Sequence, residues 1–208
     1  MDFLSGIITL TILIFSAILH EVAHGYVADR FGDPTARLAG RLTLNPKKHI
    51  DPFMSILLPL VLILSGSPVI FGAAKPVPVD PFNLKEGRKD VALVALSGPL
   101  TNIAIAVLAS FIIKILPLFL PSIFYLLLLN IVRLNLLLAI FNLLPIPPLD
   151  GSKVFALLLP KEMANVYLSL SSIGLFIIFF LLLFPLGGLS LGNLIANLLV
   201  FSEKLLGL

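Results

Sequence analysis

The sequence contains no cysteine and no tryptophan, and only 12% of its 208 residues are charged. A chain without cysteine forms no disulfide and no thiolate metal site, so any metal ion must be held by His, Asp or Glu. Histidine is itself scarce, with three in the whole chain. The net charge of +3 is small, and clustered Lys and Arg in an apolar chain report membrane orientation before nucleic acid binding. We therefore expect no nucleic acid partner.

Apolar residues are what the sequence has in abundance. They make up 59% of the chain, and the mean hydropathy is +1.12, whereas soluble domains are nearer half apolar and a quarter charged. We predict an all-α polytopic protein of the lipid bilayer, with one domain over residues 1–208. The first apolar stretch runs directly into polar residues without a small-residue cleavage site, so we expect a retained helix and not a signal peptide.

Five apolar stretches are long enough to be candidate spanning helices. They cover residues 3–30, 91–116, 122–144, 162–184 and 190–206 approximately. The apolar stretch 52–64 has 13 residues, short of the roughly 20 that a spanning helix needs. It is predicted to re-enter or lie along the membrane. Strands are expected only in the Gly/Pro-rich loop 66–82, which predicts a small β-like loop.

The first apolar stretch ends in the sequence His20-Glu21-Val22-Ala23-His24. On a helix, residues four apart lie on one face, so the two imidazoles can bind one metal ion while Glu21 lies beside the attacking water. A chance match or a pair of hydrogen-bonded polar residues is the alternative. Ionisable residues are costly inside an apolar helix, which favours the functional interpretation.

A catalytic zinc needs three protein ligands and one open position. The third imidazole, His49, lies in a basic stretch expected at the membrane surface. Asp150 is the stronger candidate, because it follows a long apolar helix and precedes Gly151, which lets the backbone approach another helix. Asp is also a favoured N-cap residue. From spacing alone, a metal ligand and a cap for a short helix near Ser152 remain equally open.

Three motifs together resemble the site-2 protease family of intramembrane zinc metalloproteases. They are His20-Glu21-x-x-His24, Ser97-Gly98-Pro99-x-x-Asn102 and Asn142-Leu143-Leu144-Pro145-x-x-x-Leu149-Asp150-Gly151. The resemblance implies one zinc ion per chain, held by His20, His24 and Asp150, with Glu21 as the acid and base. The implied activity is hydrolysis of peptide bonds in transmembrane substrates.

The resemblance also implies that Asn102 and Asn142 seat the substrate. The alternative is a helix–helix hydrogen bond, because Asn cross-links membrane helices. The catalytic core would cover residues 3–160 approximately, and residues 162–207 would form accessory helices. The chain looks like a minimal core without the PDZ or CBS domains of some family members.

Residues 74–80 are predicted to form an edge strand that pairs with unwound substrate. Val77 and Val79 alternate with Pro76 and Pro78, and proline restricts a strand to sheet edges because it cannot donate a ladder hydrogen bond. An exposed edge receives an extended peptide by strand addition. A rigid surface loop that only packs on the helices is an equally open alternative.

Two other functions fit an apolar chain with buried ligands. A membrane metal-ion transporter is disfavoured because the chain has few histidines and no sign of an inverted repeat. A catalytically inactive membrane scaffold is disfavoured by the intact Glu21. Arg133 lies in the middle of an apolar helix, and we expect it to face the bundle and pair with backbone carbonyls.

Charge predicts the orientation of the chain in the cell membrane. If 52–64 does not cross, eleven of the 14 Lys and Arg residues lie on one side, which the positive-inside rule makes cytoplasmic. Two further crossings after the core would place the C-terminus on the same side.

Overall fold

The structure is a computed structural model that describes residues 3–65, 75–116, 121–184 and 190–208. All regular secondary structure within these ranges is helical, which confirms the predicted all-α class. The described part of the expected β-like loop, residues 75–82, carries no strand, and residues 66–74 lie outside the described ranges. The chain divides into two compact units, residues 1–85 and 86–208.

The first unit consists of one long helix followed by short helical turns. The helices are α1 (Phe3–Arg30), α2 (Thr35–Leu38) and α3 (Leu58–Leu64), with 3-10 turns at Pro46–Lys48 and Pro81–Asn83 and a π-helical turn at Pro52–Leu57. Helix α1 stops because Gly32 adopts a φ of 108°, a left-handed conformation that favours glycine. The N–H of Asp33 then donates to the Ala28 carbonyl at 2.9 Å. This turn leads the chain back alongside α1.

The second unit is a bundle of six helices among the described residues. They are α4 (Arg88–Ile115), α5 (Ser122–Asn142), α6 (Asp150–Phe155), α7 (Lys161–Ser169), α8 (Ser171–Leu183) and α9 (Leu191–Leu205). The α4–α5 pair packs through small and branched side chains: Ala106, Ala109, Ile113, Val132 and Leu136. Small residues let membrane helices approach closely. A second cluster, Leu144, Leu149, Ile178 and Ile195, packs the loop before α6 against α8 and α9.

Fewer helices can span the membrane than the five predicted. Among the described residues, three helices are long and apolar enough, namely Leu4–Arg30, Arg88–Ile115 and Ser122–Asn142. The stretch 162–184 is broken between α7 and α8, which meet at 66° and make a fourth span if they cross together. Helix α9 has only 15 residues, or about 22 Å at 1.5 Å per residue, less than the hydrocarbon thickness of about 30 Å. The helical stretch 52–64 is shorter still.

Arg133 has a different partner from the one predicted. Its Nε donates to Glu203 Oε1 of α9 at 2.8 Å. The side chain of Glu203 is 15% exposed and that of Arg133 is 55% exposed. The expected pairing with backbone carbonyls is therefore replaced by an ion pair that joins α5 to α9.

Candidate metal centre

Helix α1 places two imidazoles side by side, with their ring planes at 87°. His20 and His24 are both buried, and their Nε2 atoms lie 3.0 Å apart. Two nitrogens bound to one tetrahedral zinc at their usual bond lengths lie about 3.3 Å apart. The donor atoms are therefore already at nearly the spacing that a zinc ion requires, as the i, i+4 pattern predicts.

Glu21 lies between the two histidines in sequence and has a partner that is distant along the chain. The backbone N–H of Val77 donates to Glu21 Oε2 at 2.7 Å. Glu21 is half-buried, whereas the Val77 side chain is buried. This hydrogen bond fixes one oxygen of the Glu21 carboxylate.

Asp150 begins helix α6 in the second unit. It is buried, and Lys153 donates to its Oδ1 at 3.0 Å. The N-cap of α6 is Leu149, and no side chain caps this helix end. The structure therefore does not support the capping alternative for Asp150. A carboxylate in the first turn is favoured by the helix dipole.

Two close backbone approaches fix the loop that carries Asp150. A Cβ built on Gly151 would lie 2.1 Å from the Leu143 carbonyl oxygen. A Cβ on Gly174 of α8 would lie 1.8 Å from the Pro147 carbonyl oxygen. The hydroxyl of Tyr167 donates to the Pro145 carbonyl at 2.8 Å. Helices α7 and α8, expected to be accessory, thus hold the Asp150 loop in place.

We expect Gly151→Ala to destabilise the protein strongly. The atoms that its Cβ would meet are backbone atoms of Leu143 and Leu144, which cannot move without shifting the loop. Overpacking of this kind costs about 1–3 kcal/mol or more. Thermal unfolding of the purified protein in detergent measures the loss. The matched control is Gly192→Ala in α9, where the nearest atom is a side-chain oxygen at 3.5 Å. Equal melting of the Gly151 variant and the parent would contradict the prediction.

The two asparagines expected to seat the substrate differ in their surroundings. Asn102 is fully buried, and its Nδ2 donates to Asn135 Oδ1 of α5 at 2.9 Å. This is the helix–helix bond named above as the alternative. Asn142 is half-buried and donates to the Leu138 carbonyl of its own helix at 3.0 Å. Asn135 was not predicted, although an Asn inside an apolar helix is itself a signal of such a bond.

His49 is buried in the loop after α2 and is hydrogen-bonded to the backbone. Its Nε2 lies 2.8 Å from the Thr43 carbonyl oxygen, so Nε2 carries the proton. Burial lowers the pKa of His49, and the Thr43 hydrogen bond offsets this only in part. His49 is therefore a neutral ring held by its own loop.

Comparison with known proteins finds a matching family model and several similar proteins. The model of peptidase family M50 matches residues 8–120. A Bacillus subtilis protein named "Putative zinc metalloprotease YwhC" is 37% identical over 186 residues, which are 84% of this chain and 80% of the relative. Two proteins with the same description are Rip2 of Mycobacterium tuberculosis and MJ0611 of Methanocaldococcus jannaschii.

The two further relatives match a smaller part of the chain. Rip2 is 35% identical over 136 residues, 65% of this chain and 51% of the relative. MJ0611 is 33% identical over 139 residues, 66% of this chain and 63% of the relative. The chain thus spans about half the length of Rip2. No solved structure matches the chain.

Proposed function

This chain belongs to peptidase family M50, the site-2 proteases, and is a zinc metalloprotease of a membrane-protein family; we propose that it hydrolyses peptide bonds of transmembrane substrates within the bilayer. The family membership favours a protease over the metal-ion transporter and over the inactive scaffold considered from the sequence.

The proposal rests on where the paired imidazoles lie. His20 and His24 are on α1, a helix of 28 residues that is long and apolar enough to span the membrane. At 1.5 Å per residue, His20 lies about 26 Å from the start of α1, in the far third of a bilayer. Chemistry at this depth requires a substrate segment that also lies in the membrane.

We propose that Asp150 completes the metal site with His20 and His24. Two imidazoles and one carboxylate are a donor set that can hold a zinc ion. Bound zinc would lower the pKa of water and polarise the scissile carbonyl. Glu21 takes the proton of the attacking water and passes it to the leaving amine. The Val77 N–H keeps the Glu21 carboxylate in position for both proton transfers.

Cleavage of purified peptides in detergent tests the proposed function. The substrates are a panel of single-pass peptides, each paired with a control in which charged residues make the same segment water-soluble. We expect cuts inside the apolar segments, loss of cleavage with a zinc chelator, and slow cleavage of the soluble controls. Equal cleavage of both members of each pair would contradict an intramembrane substrate.

We propose that residues 75–80 also hold the unwound substrate through backbone pairing. An unwound helix must have its backbone groups satisfied inside a membrane. The N–H of Val77 is engaged by Glu21, whereas the N–H of Val79 has no hydrogen bond within the described ranges. The Val79 N–H is therefore the group that we expect to pair with the substrate.

Val79→Pro is expected to reduce cleavage by about tenfold through a higher KM, because it removes one backbone donor worth about 1–1.5 kcal/mol. Val79→Thr keeps both the N–H and the branched shape and is the matched control. Kinetics on one peptide from the panel, with zinc content measured in parallel, give the result. If Val79→Pro cleaves as fast as the parent, another surface holds the substrate.

Asn142 is proposed as a further substrate contact, because its Oδ1 has no partner among the described residues and the side chain is half-buried. We propose that Asn102 also contacts the substrate while it keeps its hydrogen bond to Asn135.

We also propose that the basic segments face the cytoplasm. The C-terminus shares that side if the chain crosses the membrane twice after α6.

A further inference from the structure

Lys75 is held by both of its backbone groups. Its N–H donates to the His49 carbonyl at 2.7 Å. Its own carbonyl accepts from Arg41 Nη2 at 2.8 Å, and the next carbonyl, that of Pro76, accepts from the same nitrogen at 3.3 Å. The loop after α2 thus fixes the start of the segment 75–80.

The other end of the segment is held by Asp33. The Asp80 N–H donates to Asp33 Oδ2 at 2.7 Å, and Asn83 Nδ2 donates to Asp33 Oδ1 at 3.0 Å. Asp33 is fully buried. Burial would raise the pKa of this carboxyl, but hydrogen bonds from Thr35, Asn83 and Asp80 outweigh it and lower the pKa. Asp33 is therefore a charged acceptor that fixes the segment in place.

Val77 lies between these two anchors, directly against the backbone of α1. A Cβ on Gly25, one turn after Glu21, would lie 2.8 Å from Val77 Cγ1 and from Leu42 Cδ2, and 2.9 Å from Ala36 Cβ. The segment therefore has no room to approach α1 further. The position of the Val77 N–H is set by the anchors on either side and by the glycine beneath it.

Burying the charged side chain of Arg41 in order to hold a loop costs free energy. The residue is only 8% exposed, and its buried Nε has no hydrogen-bond partner in the described ranges. No carboxylate in those ranges pairs with it, since its hydrogen bonds go to carbonyls. Burying a charge that is incompletely satisfied costs free energy, so this arginine is better explained by a role in the reaction than by stability.

We propose that Arg41 is a positioning residue for the proteolytic reaction. By binding the carbonyls of Lys75 and Pro76, it holds the Val77 N–H against the Glu21 carboxylate and so keeps that carboxylate in one conformation. This inference rests on the proposed role of Glu21 as the base. A misplacement of about 1 Å at a reacting group lowers the rate by about a hundredfold.

Arg41→Ala and Arg41→Lys test this role on a peptide that the parent cleaves. Arg41→Ala removes both hydrogen bonds, and we expect kcat to fall by about ten- to a hundredfold while KM and zinc content stay within twofold of the parent. Arg41→Lys keeps a cationic donor on a stem of similar length, and we expect it to recover most of the lost kcat. Unchanged KM and zinc content in Arg41→Ala exclude a general loss of structure as the cause of the lower kcat.

Gly25→Ala provides a second test that leaves every polar group in place. The added methyl would meet Val77, Leu42 and Ala36, so kcat is compared on folded, zinc-loaded protein, where we expect it to fall. Adding Val77→Ala removes the Cγ1 that the methyl would meet. The double variant should therefore recover part of the kcat that Gly25→Ala loses.

Glu21→Gln is measured beside these variants to separate the two proposals. If Glu21→Gln cleaves like the parent, the role of Glu21 fails and the positioning role fails with it. If Glu21→Gln is inactive while the zinc-loaded Arg41→Ala and Gly25→Ala proteins keep the parental kcat, only the positioning role is overturned. A raised KM at unchanged kcat, or loss of zinc from Arg41→Ala, would also overturn it.

Discussion

Glu21→Gln is expected to bind zinc as well as the parent and to lose cleavage by about a hundredfold or more. Glutamine has nearly the same shape as glutamate and can still accept the Val77 hydrogen bond at its amide oxygen. It cannot take a proton from water at neutral pH, so the variant lacks the proposed base. The expected result is a folded, metal-loaded and inactive protein.

Three measurements on the purified variant decide this prediction. Metal analysis gives the zinc content, thermal unfolding gives the stability, and the single-pass peptides give the rate. Glu162→Gln is the matched control, because Glu162 is exposed in the first turn of α7. Cleavage by Glu21→Gln within a few-fold of the parent would remove Glu21 from the mechanism. Loss of zinc would make it a ligand instead.

Asp150→Ala is expected to have the second large effect, on metal content and on cleavage together. In the proposed site, removal of the Asp150 carboxylate leaves two protein ligands on α1, fewer than the three that catalytic zinc sites use. Loss of a ligand lowers both affinity and rate, so we expect substoichiometric zinc and cleavage reduced by at least about a hundredfold. Lys153, which loses its ion-pair partner in this variant, would not replace the carboxylate as a metal ligand.

His49→Ala is the control for Asp150→Ala, and the comparison uses metal content rather than activity. His49 is hydrogen-bonded to Thr43 through Nε2, and its backbone carbonyl holds Lys75. Removal of the His49 imidazole should leave the zinc content unchanged. If zinc were lost from the His49 variant and kept in the Asp150 variant, the third ligand would have to be reassigned.

Local sequence patterns were sufficient for the paired histidines. An i, i+4 spacing on a helix determines which side chains share a face, and the two Nε2 atoms do lie 3.0 Å apart. The same spacing could not reveal the Val77–Glu21 hydrogen bond, since its partners are 56 residues apart. Contacts of that kind depend on how a loop returns to a helix, which hydrophobic periodicity does not record.

The number of spans was overestimated because hydropathy measures composition and not straightness. Residues 162–184 are mostly apolar, yet the chain bends by 66° between Ser169 and Ser171. Asp150 shows a related limit. Aspartate is common both as a helix cap and as a ligand, and only the placement of Leu149 at the cap position removes the first role.

The ion pair between Arg133 and Glu203 bears on how the chain is made. Helix α5 is synthesised and enters the bilayer well before Glu203 leaves the ribosome, so its arginine is inserted without its counter-charge. Arginine at the centre of an inserted helix costs about 2.5–3.5 kcal/mol. That cost is reduced when α9 packs on α5, since Arg133 Nε then lies 2.8 Å from Glu203 Oε1. Correct placement of α5 thus depends on a carboxylate 70 residues further along the chain, which couples the insertion of one helix to the packing of a much later one.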